Sequence, residues 1–326
     1  MKRLCLCLAI FTPLAWCGPA GAEEVAVAQY GTTTSAMPWA VALAKGFFRD
    51  AGVDVTAIRA SSGGSADIRN MIAGGLPYAE SAPGAVITAV KNGADVLIVS
   101  DNVLSNANDV WVTMPDGPVK TLQDIKGRRL AYTTPQSTSE MLDHMLVGKL
   151  GLRNSDVRYV SSGPFGAELT ALQVGGADVA SIAEPLYTMS AGKFRVLAWA
   201  RDELPPFPAT VGVVPTEVAR QHPEVIRGIL IARRRAVEFL VSDRLESAEI
   251  IARAYKLDAA IVKTVLDGLI DHPSSGVPYY GLGDFRPEGL DRLIEGLRLI
   301  NALDSDIPWR SLVDQNFLPE DLRRKL

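Results

Sequence analysis

The sequence predicts an α/β protein of two lobes with a ligand cleft between them, and three observations carry that prediction. The chain has 326 residues, 48% apolar and 21% charged. That is enough for about two domains at roughly 150 residues each, and far from the sparse, highly charged composition of disordered chains. A strand–turn–helix–strand pattern occurs twice, its second copy about one hundred residues after its first. Each copy stops its helix at a Gly-Gly pair, where a left-handed cap is favoured. The 33 basic residues are outnumbered by 37 acidic ones, so the basic footprint of a nucleic-acid binder is missing and no nucleic-acid partner is expected.

The elements follow in order. Met1–Ala22 reads as a secretory leader: Lys2 and Arg3 form the charged end, Leu4 to Cys17 a short apolar stretch, and Ala20-Gly21-Ala22 a small-residue cleavage site. The stretch is shorter than the roughly 20 apolar residues a membrane span needs; a lipoprotein site at Cys17 is the weaker alternative, because Trp16 is bulky where such sites need a small residue. Cleavage is expected after Ala22, which makes the protein periplasmic. Cys5, Cys7 and Cys17 leave with the leader, so the mature chain has no thiol for a disulfide, a nucleophile or a metal site. No cofactor or metal is expected.

The first repeat copy has the strand-like run Val53–Ala60, the turn Ser61-Ser62-Gly63-Gly64-Ser65, a helix through Ala73 and then Gly74-Gly75. The second has Val157–Val160, Ser161-Ser162-Gly163-Pro164-Phe165-Gly166, a helix through Val174 and then Gly175-Gly176. β-Branched residues favour the strands, and Ser and Gly favour the turn and helix cap. Ile68, Met71 and Ile72 in the first helix, and Leu169 and Leu172 in the second, fall at helical spacing. Two such βαβ units imply parallel sheets, with ligands held outside the carboxyl ends of the strands. A helix N-terminus there offers free backbone N–H groups to an anion or a polar ligand.

At this point the sequence resembles a known family. Lys45-Gly46-Phe47-Phe48 with Gly52-Val53-Asp54-Val55, Leu122-Gln123-Asp124-Ile125-Lys126-Gly127, Leu172 to Ala180, Glu184-Pro185, His222-Pro223-Glu224 and Val313-Asp314-Gln315-Asn316-Phe317-Leu318 occur in the order found in periplasmic solute-binding proteins of ABC transporters. The group is the nitrate, sulfonate, taurine and pyrimidine-precursor binders. The resemblance implies the type II periplasmic-binding-protein fold with two crossovers. Lobe one would hold 23–108 and 209–326 with the C-terminal helices packed on it, and lobe two 109–208. It further implies a monomer that delivers its solute to a permease with its ATPase. In one place the chain departs from the family: Pro77-Tyr78 stand where an acidic residue is usual, as Asp178 does in the second copy.

The residues expected at the ligand come from the loops after the strands. The first loop offers Thr33, Ser35 and Trp39, the last with a buried structural role equally open to it. The second offers Gly63, Gly64 and Ser65, and the third Ser81. Lobe two offers Gln136, Ser137, Thr138, Phe165, Glu184 and Tyr187. These loops hold Glu80 and Glu184 but no Lys or Arg. An unpaired buried carboxylate beside an anion is costly. So either these glutamates point away, or the solute carries a donor, as a pyrimidine-like or amide-bearing solute does. The alternative solute is a sulfonate-, nitrate- or carboxylate-like anion held by helix N-termini. Two other functions stay open: an exported enzyme on this fold, and an extracytoplasmic sensor. Against the enzyme, His144, His222 and His272 are scattered outside the candidate loops, and no hydrolase, zincin or Walker motif occurs.

Overall fold

Eleven strands form two sheets in the computed structural model of the protein, which describes residues 23–61, 65–135, 137–303 and 309–326. The leader and its cleavage point lie outside the described residues. In chain order the strands are β1 (Glu23–Ala28), β2 (Val55–Ser61), β3 (Ala79–Ser81), β4 (Val96–Val103), β5 (Asp109–Thr113), β6 (Arg129–Tyr132), β7 (Arg158–Ser161), β8 (Val179–Ala183), β9 (Arg195–Trp199), β10 (Thr210–Pro215) and β11 (Tyr280–Gly283). One sheet runs β11-β4-β10-β3-β1-β2 and the other β7-β6-β8-β5-β9.

The two orders are the same pattern. β2 and β3 flank β1 in parallel, as β7 and β8 flank β6. Next to β3 lies antiparallel β10, and next to β8 lies antiparallel β5. Beyond these come β4 and β9, each reversed again. The repeat read in the sequence is therefore a repeat of topology. Both helix stops share a conformation too: Gly75 has φ 63° and Gly175 φ 71°, the left-handed region where glycine avoids the Cβ penalty.

Strand direction fixes where the loops lie. β4 runs parallel to β3 and leaves the first sheet at its carboxyl end, through residues 104–108, into β5. The chain returns from β9 through residues 200–209 into β10. β5 opposes β8 and β9, so their carboxyl ends lie where β5 begins. Hence the carboxyl ends of β1, β2 and β3 and those of β6, β7 and β8 all point toward the same two crossovers, and toward each other.

The helices bury apolar stripes, with two departures from the sequence reading. In Ser65–Ala73, Ile68 and Met71 are buried but Ile72 is 48% exposed. A buried polar residue, Asp67, takes an inward position, accepting from the hydroxyls of Ser61 and Ser81. The C-terminal segment also touches both sheets' layers, where the sequence placed it on the first alone. Pro223–Ser242 and Arg244–Tyr255 pack on Met37–Ala44, whereas Pro287–Leu299 packs on Thr138–Lys149. Gly296 makes that crossing close: a Cβ there would lie 2.3 Å from Met141 Sδ.

The departure at Tyr78 also has a structural consequence. Asp178 holds Arg129 through both carboxylate oxygens at 3.0 Å. Tyr78 instead is fully buried, its hydroxyl accepting from Asn102 Nδ2 at 2.8 Å. The ring lies against Gly212 of β10, where an added Cβ would be 2.1 Å from the Tyr78 hydroxyl and 2.3 Å from Ser100 Oγ. Gly212→Ala is therefore expected to destabilise by about 2–3 kcal/mol through overpacking. Thermal unfolding followed by circular dichroism would show a fall of roughly 5 °C or more. An unmoved midpoint would mean that β10 slides freely past Tyr78.

Candidate functional site

The loop after β1 turns sharply: Gln29 has φ 51° and Gly31 φ 92°. Three tyrosines from the C-terminal segment pin it. Tyr255 donates to the Thr33 carbonyl (3.1 Å), Tyr280 to the Thr34 carbonyl (2.9 Å), and the Tyr279 and Thr34 hydroxyls lie 2.7 Å apart. Thr33 and Ser35 stay half-buried with hydroxyls 3.1 Å from each other. Neither caps the following helix, whose N-cap is Ala36 without a side-chain bond. Both hydroxyls thus stand at the carboxyl end of β1, free of the capping role that the sequence left open for them.

Trp39 takes the structural one of its two possible roles. It is fully buried, and its indole N–H donates to Glu80 Oε2 at 2.8 Å, so it presents no surface to a solute. Glu80 also accepts from Asn102 Nδ2 (2.7 Å), Thr210 Oγ1 (2.9 Å) and Arg233 Nε (3.3 Å). Ser81 is fully buried and spends its hydroxyl on Asp67. Trp39 and Ser81 hence lie in the interior of the first half, Trp39 in the structural role the sequence left open to it. The cause is Asp67 and Glu80, two buried carboxylates that must be satisfied by neighbouring donors. Gly63, Gly64, Gln136 and the Ser65 side chain lie outside the described residues.

In the second half, Ser137 caps its helix by accepting from the Glu140 N–H (3.2 Å), and Thr138 follows it half-buried. Phe165 begins the helix after β7. With Leu186, Tyr187 and Trp199 it packs, half-buried, on one small apolar cluster around Val110 and Ile182. Glu184 is nearly buried, and both its oxygens are taken by Thr188, from the N–H (3.0 Å) and the hydroxyl (2.9 Å). Its backbone N–H donates to the Asn108 carbonyl in the first crossover (2.9 Å). Burial pushes the Glu184 carboxyl above its ordinary range, with the Thr188 bonds opposing.

Sequence reasoning missed the three tyrosines and the pair Trp199–Arg201. The Tyr187 and Trp199 rings meet edge-on at 5.0 Å between centroids, and the Arg201 guanidinium carbon lies 4.1 Å from the Trp199 ring centre. Arg201 begins the second crossover, and no local motif marks it.

Two sheets of one topology, with the carboxyl ends of their strands turned toward a pair of crossovers, define the class of periplasmic-binding-protein folds. Residues 33–246 match the NMT1/THI5-like family, and the chain belongs to that family. It is 25% identical over 233 residues to a candidate binding protein of Brucella abortus, covering 69% of each chain. Its fold is similar to that of the periplasmic aliphatic sulphonate binding protein SsuA from Escherichia coli, with a TM-score of 0.75 at 18% identity over 91% of this chain and 93% of that one. It is also similar to the desulfurization enzyme DSZB, with a TM-score of 0.62 at 14% identity over 91% and 97%.

Proposed function

We propose that the mature protein is an exported solute-binding protein. It holds a small polar organic solute between the two sets of strand ends and delivers it to an ABC importer. The observation that carries this reading is the shared topology, which brings the loops after β1, β2 and β3 to face those after β6, β7 and β8 with only residues 104–108 and 200–209 as hinge. Closure about such crossovers buries a ligand between lobes. The relatives' own descriptions as binding proteins, and the resemblance in the sequence, point the same way, as does the leader at Met1–Ala22.

The reason for favouring a donor-bearing solute was the pair Glu80 and Glu184. Both carboxylates are committed to internal donors, so that reason lapses and the anion becomes the favoured solute. The likeness to DSZB supports a second reading, an exported enzyme. His144, however, is stacked on Tyr159 at 4.0 Å, His222 sits at the surface beside Glu224, and all three cysteines fall within the leader.

The test is mass spectrometry of small molecules released by denaturing protein purified from the native periplasm. One solute in near-equal amount to protein is expected. Adding it back at 100 times its Kd should raise stability by about 2.7 kcal/mol. Conversion of the solute by the isolated protein would replace this reading by the enzyme.

A further inference from the structure

Arg201 stands at the strand-end side of the second half, with one side-chain hydrogen bond, to a backbone carbonyl, and no direct ion pair among the described residues. Its guanidinium carbon lies over the Trp199 ring, 4.1 Å from the ring centre, and one nitrogen, Nη1, donates to the Ala107 carbonyl at 3.1 Å. Its other N–H groups have no hydrogen-bond partner among the described residues. No carboxylate forms an ion pair with it there: Asp202 and Glu184 act on it only through space, and Thr188 occupies both Glu184 oxygens. The side chain is half-buried, and burial lowers its pKa from the ordinary value. An arginine in such a place stays charged, and its donors beyond Nη1 are left for a further partner.

Position and posture are both fixed. The Ala107 bond ties the second crossover to the first. Ser274 Oγ donates to the Arg201 carbonyl at 3.4 Å. The guanidinium rests against the Trp199 ring, and Tyr187 stands edge-on to the same indole. Phe165 and Tyr187 are half-buried on the cluster that Trp199 also joins. A flat, pre-oriented guanidinium presents its donors with little further loss of side-chain freedom.

We propose that Arg201 sets the charge of the solute. Its free N–H groups pair with the headgroup of a small organic anion, a carboxylate or sulfonate, whose apolar body lies on the half-buried aromatics Tyr187 and Phe165. This rests on the binding role and anionic solute proposed above and goes beyond them in naming the residue that reads the charge. Charge-assisted hydrogen bonds to such a group are worth about 1.5–3 kcal/mol each. Loss of the guanidinium therefore translates to roughly a 10- to 150-fold loss of anion affinity.

The experiment compares mature wild-type, Arg201→Gln and Arg201→Lys proteins by calorimetric titration with pentanoate, 1-pentanesulfonate and neutral pentanamide. The wild type is expected to bind at least one of the anions more than tenfold tighter than the amide. Arg201→Gln should lose that preference and keep whatever amide affinity there is. Arg201→Lys should retain part of it, since it keeps charge without the planar guanidinium. An arginine that only staples the hinge would change the thermal midpoint in Gln and leave the anion preference intact, and that result overturns the proposal. Tighter binding of pentanamide by the wild type overturns it as well. Should Arg201→Gln fail to fold, Arg201→Lys decides by the same preference. Should none of the three probes bind, the charge of the solute released from native protein decides. A neutral solute sinks the anion while leaving the binding role standing, whereas turnover sinks the binding role itself.

Discussion

Thermal unfolding of the protein is expected to move to lower temperature as pH rises from 5 to 8, the reverse of ordinary acid denaturation. The cause is a set of buried carboxyls, three in the second half and one in the first. Asp109, at the start of β5, is 5% exposed, and burial pushes it up to about 8. Asp143 is fully buried and raised well above the carboxylate range, chiefly by desolvation, although Trp111 Nε1 donates to it at 2.7 Å. Glu168 is raised for the same reason, with one oxygen accepting from the Ser181 N–H at 3.1 Å. Asp101 in β4, fully buried, is a fourth. In the unfolded chain these groups ionise near pH 4, while the folded protein keeps their protons to much higher pH. Between those values the native state binds more protons, so unfolding becomes easier as pH rises.

One pH unit is worth about 1.4 kcal/mol per such group. For Asp109 alone the three units from 5 to 8 thus set an order of about 4 kcal/mol. Asp143 is raised further by Asp109, and Glu168 by both, so the protons leave as a set rather than one residue at a time. His144, pushed down chiefly by burial, opposes the trend below about 6.5 but is only half-buried. The paired surface acids Asp156, Asp178 and Asp271 are all lowered, chiefly by hydrogen bonds from arginine. Their contribution is kept above pH 4 and does not change in this window. Scanning calorimetry should therefore give a midpoint roughly 5–10 °C lower at pH 8 than at pH 5, and Asp109→Asn should flatten the slope. A midpoint that is flat or climbs across the interval would show that these acids are ionised in the fold.

What the sequence made legible follows from what each residue's role depends on. The twin strand–turn–helix–strand units are local: β-branched strand runs and a Gly-Gly stop are written in consecutive residues, and the shared sheet order and the left-handed Gly75 and Gly175 bear these out. The roles of Trp39, Ser81, Glu80 and Glu184 are not. Whether Trp39 faces a solute depends on Glu80, forty-one positions on, and Glu80 depends on Asn102, Thr210 and Arg233. Hydroxyls and carboxylates in loops look alike in a sequence whether they serve a ligand or one another. Tyr255, Tyr279 and Tyr280 hold the first loop from more than two hundred residues away, and Arg201 becomes notable only once Glu184 is seen to be occupied by Thr188. The stripe containing Ile72 misled because helical spacing gives a face, while Asp67 shows that one inward position went to a polar group.

Arg233→Met is expected to be among the most damaging single changes outside the hinge. The side chain lies in the middle of Pro223–Ser242, 2% exposed, on the stripe that also buries Ile226, Ile229 and Val237. Its Nε contacts Glu80 at 3.3 Å, Nη1 donates to the Gly281 carbonyl at 2.8 Å and Nη2 to the Asn102 carbonyl at 2.6 Å. One residue thereby joins the helix to β3, β4 and β11. Methionine fills much of the same space, but it leaves Glu80 buried without its cation and two carbonyls without donors. Breaking one side of a buried pair costs about 3–5 kcal/mol. The pair itself need not stabilise by that amount, because both charges lose their hydration on folding. The double variant Glu80→Gln with Arg233→Met separates the two statements. It removes the stranded charge while Trp39, Asn102 and Thr210 still find a polar partner in the amide, so it should recover a large part of the loss. Urea unfolding of wild type, both single variants and the double variant completes the cycle. If Arg233→Met costs under about 1 kcal/mol, or if the double variant is as poor as the sum of the singles, then Arg233 acts through packing and its two backbone carbonyls, and Glu80 is carried by its neutral donors alone.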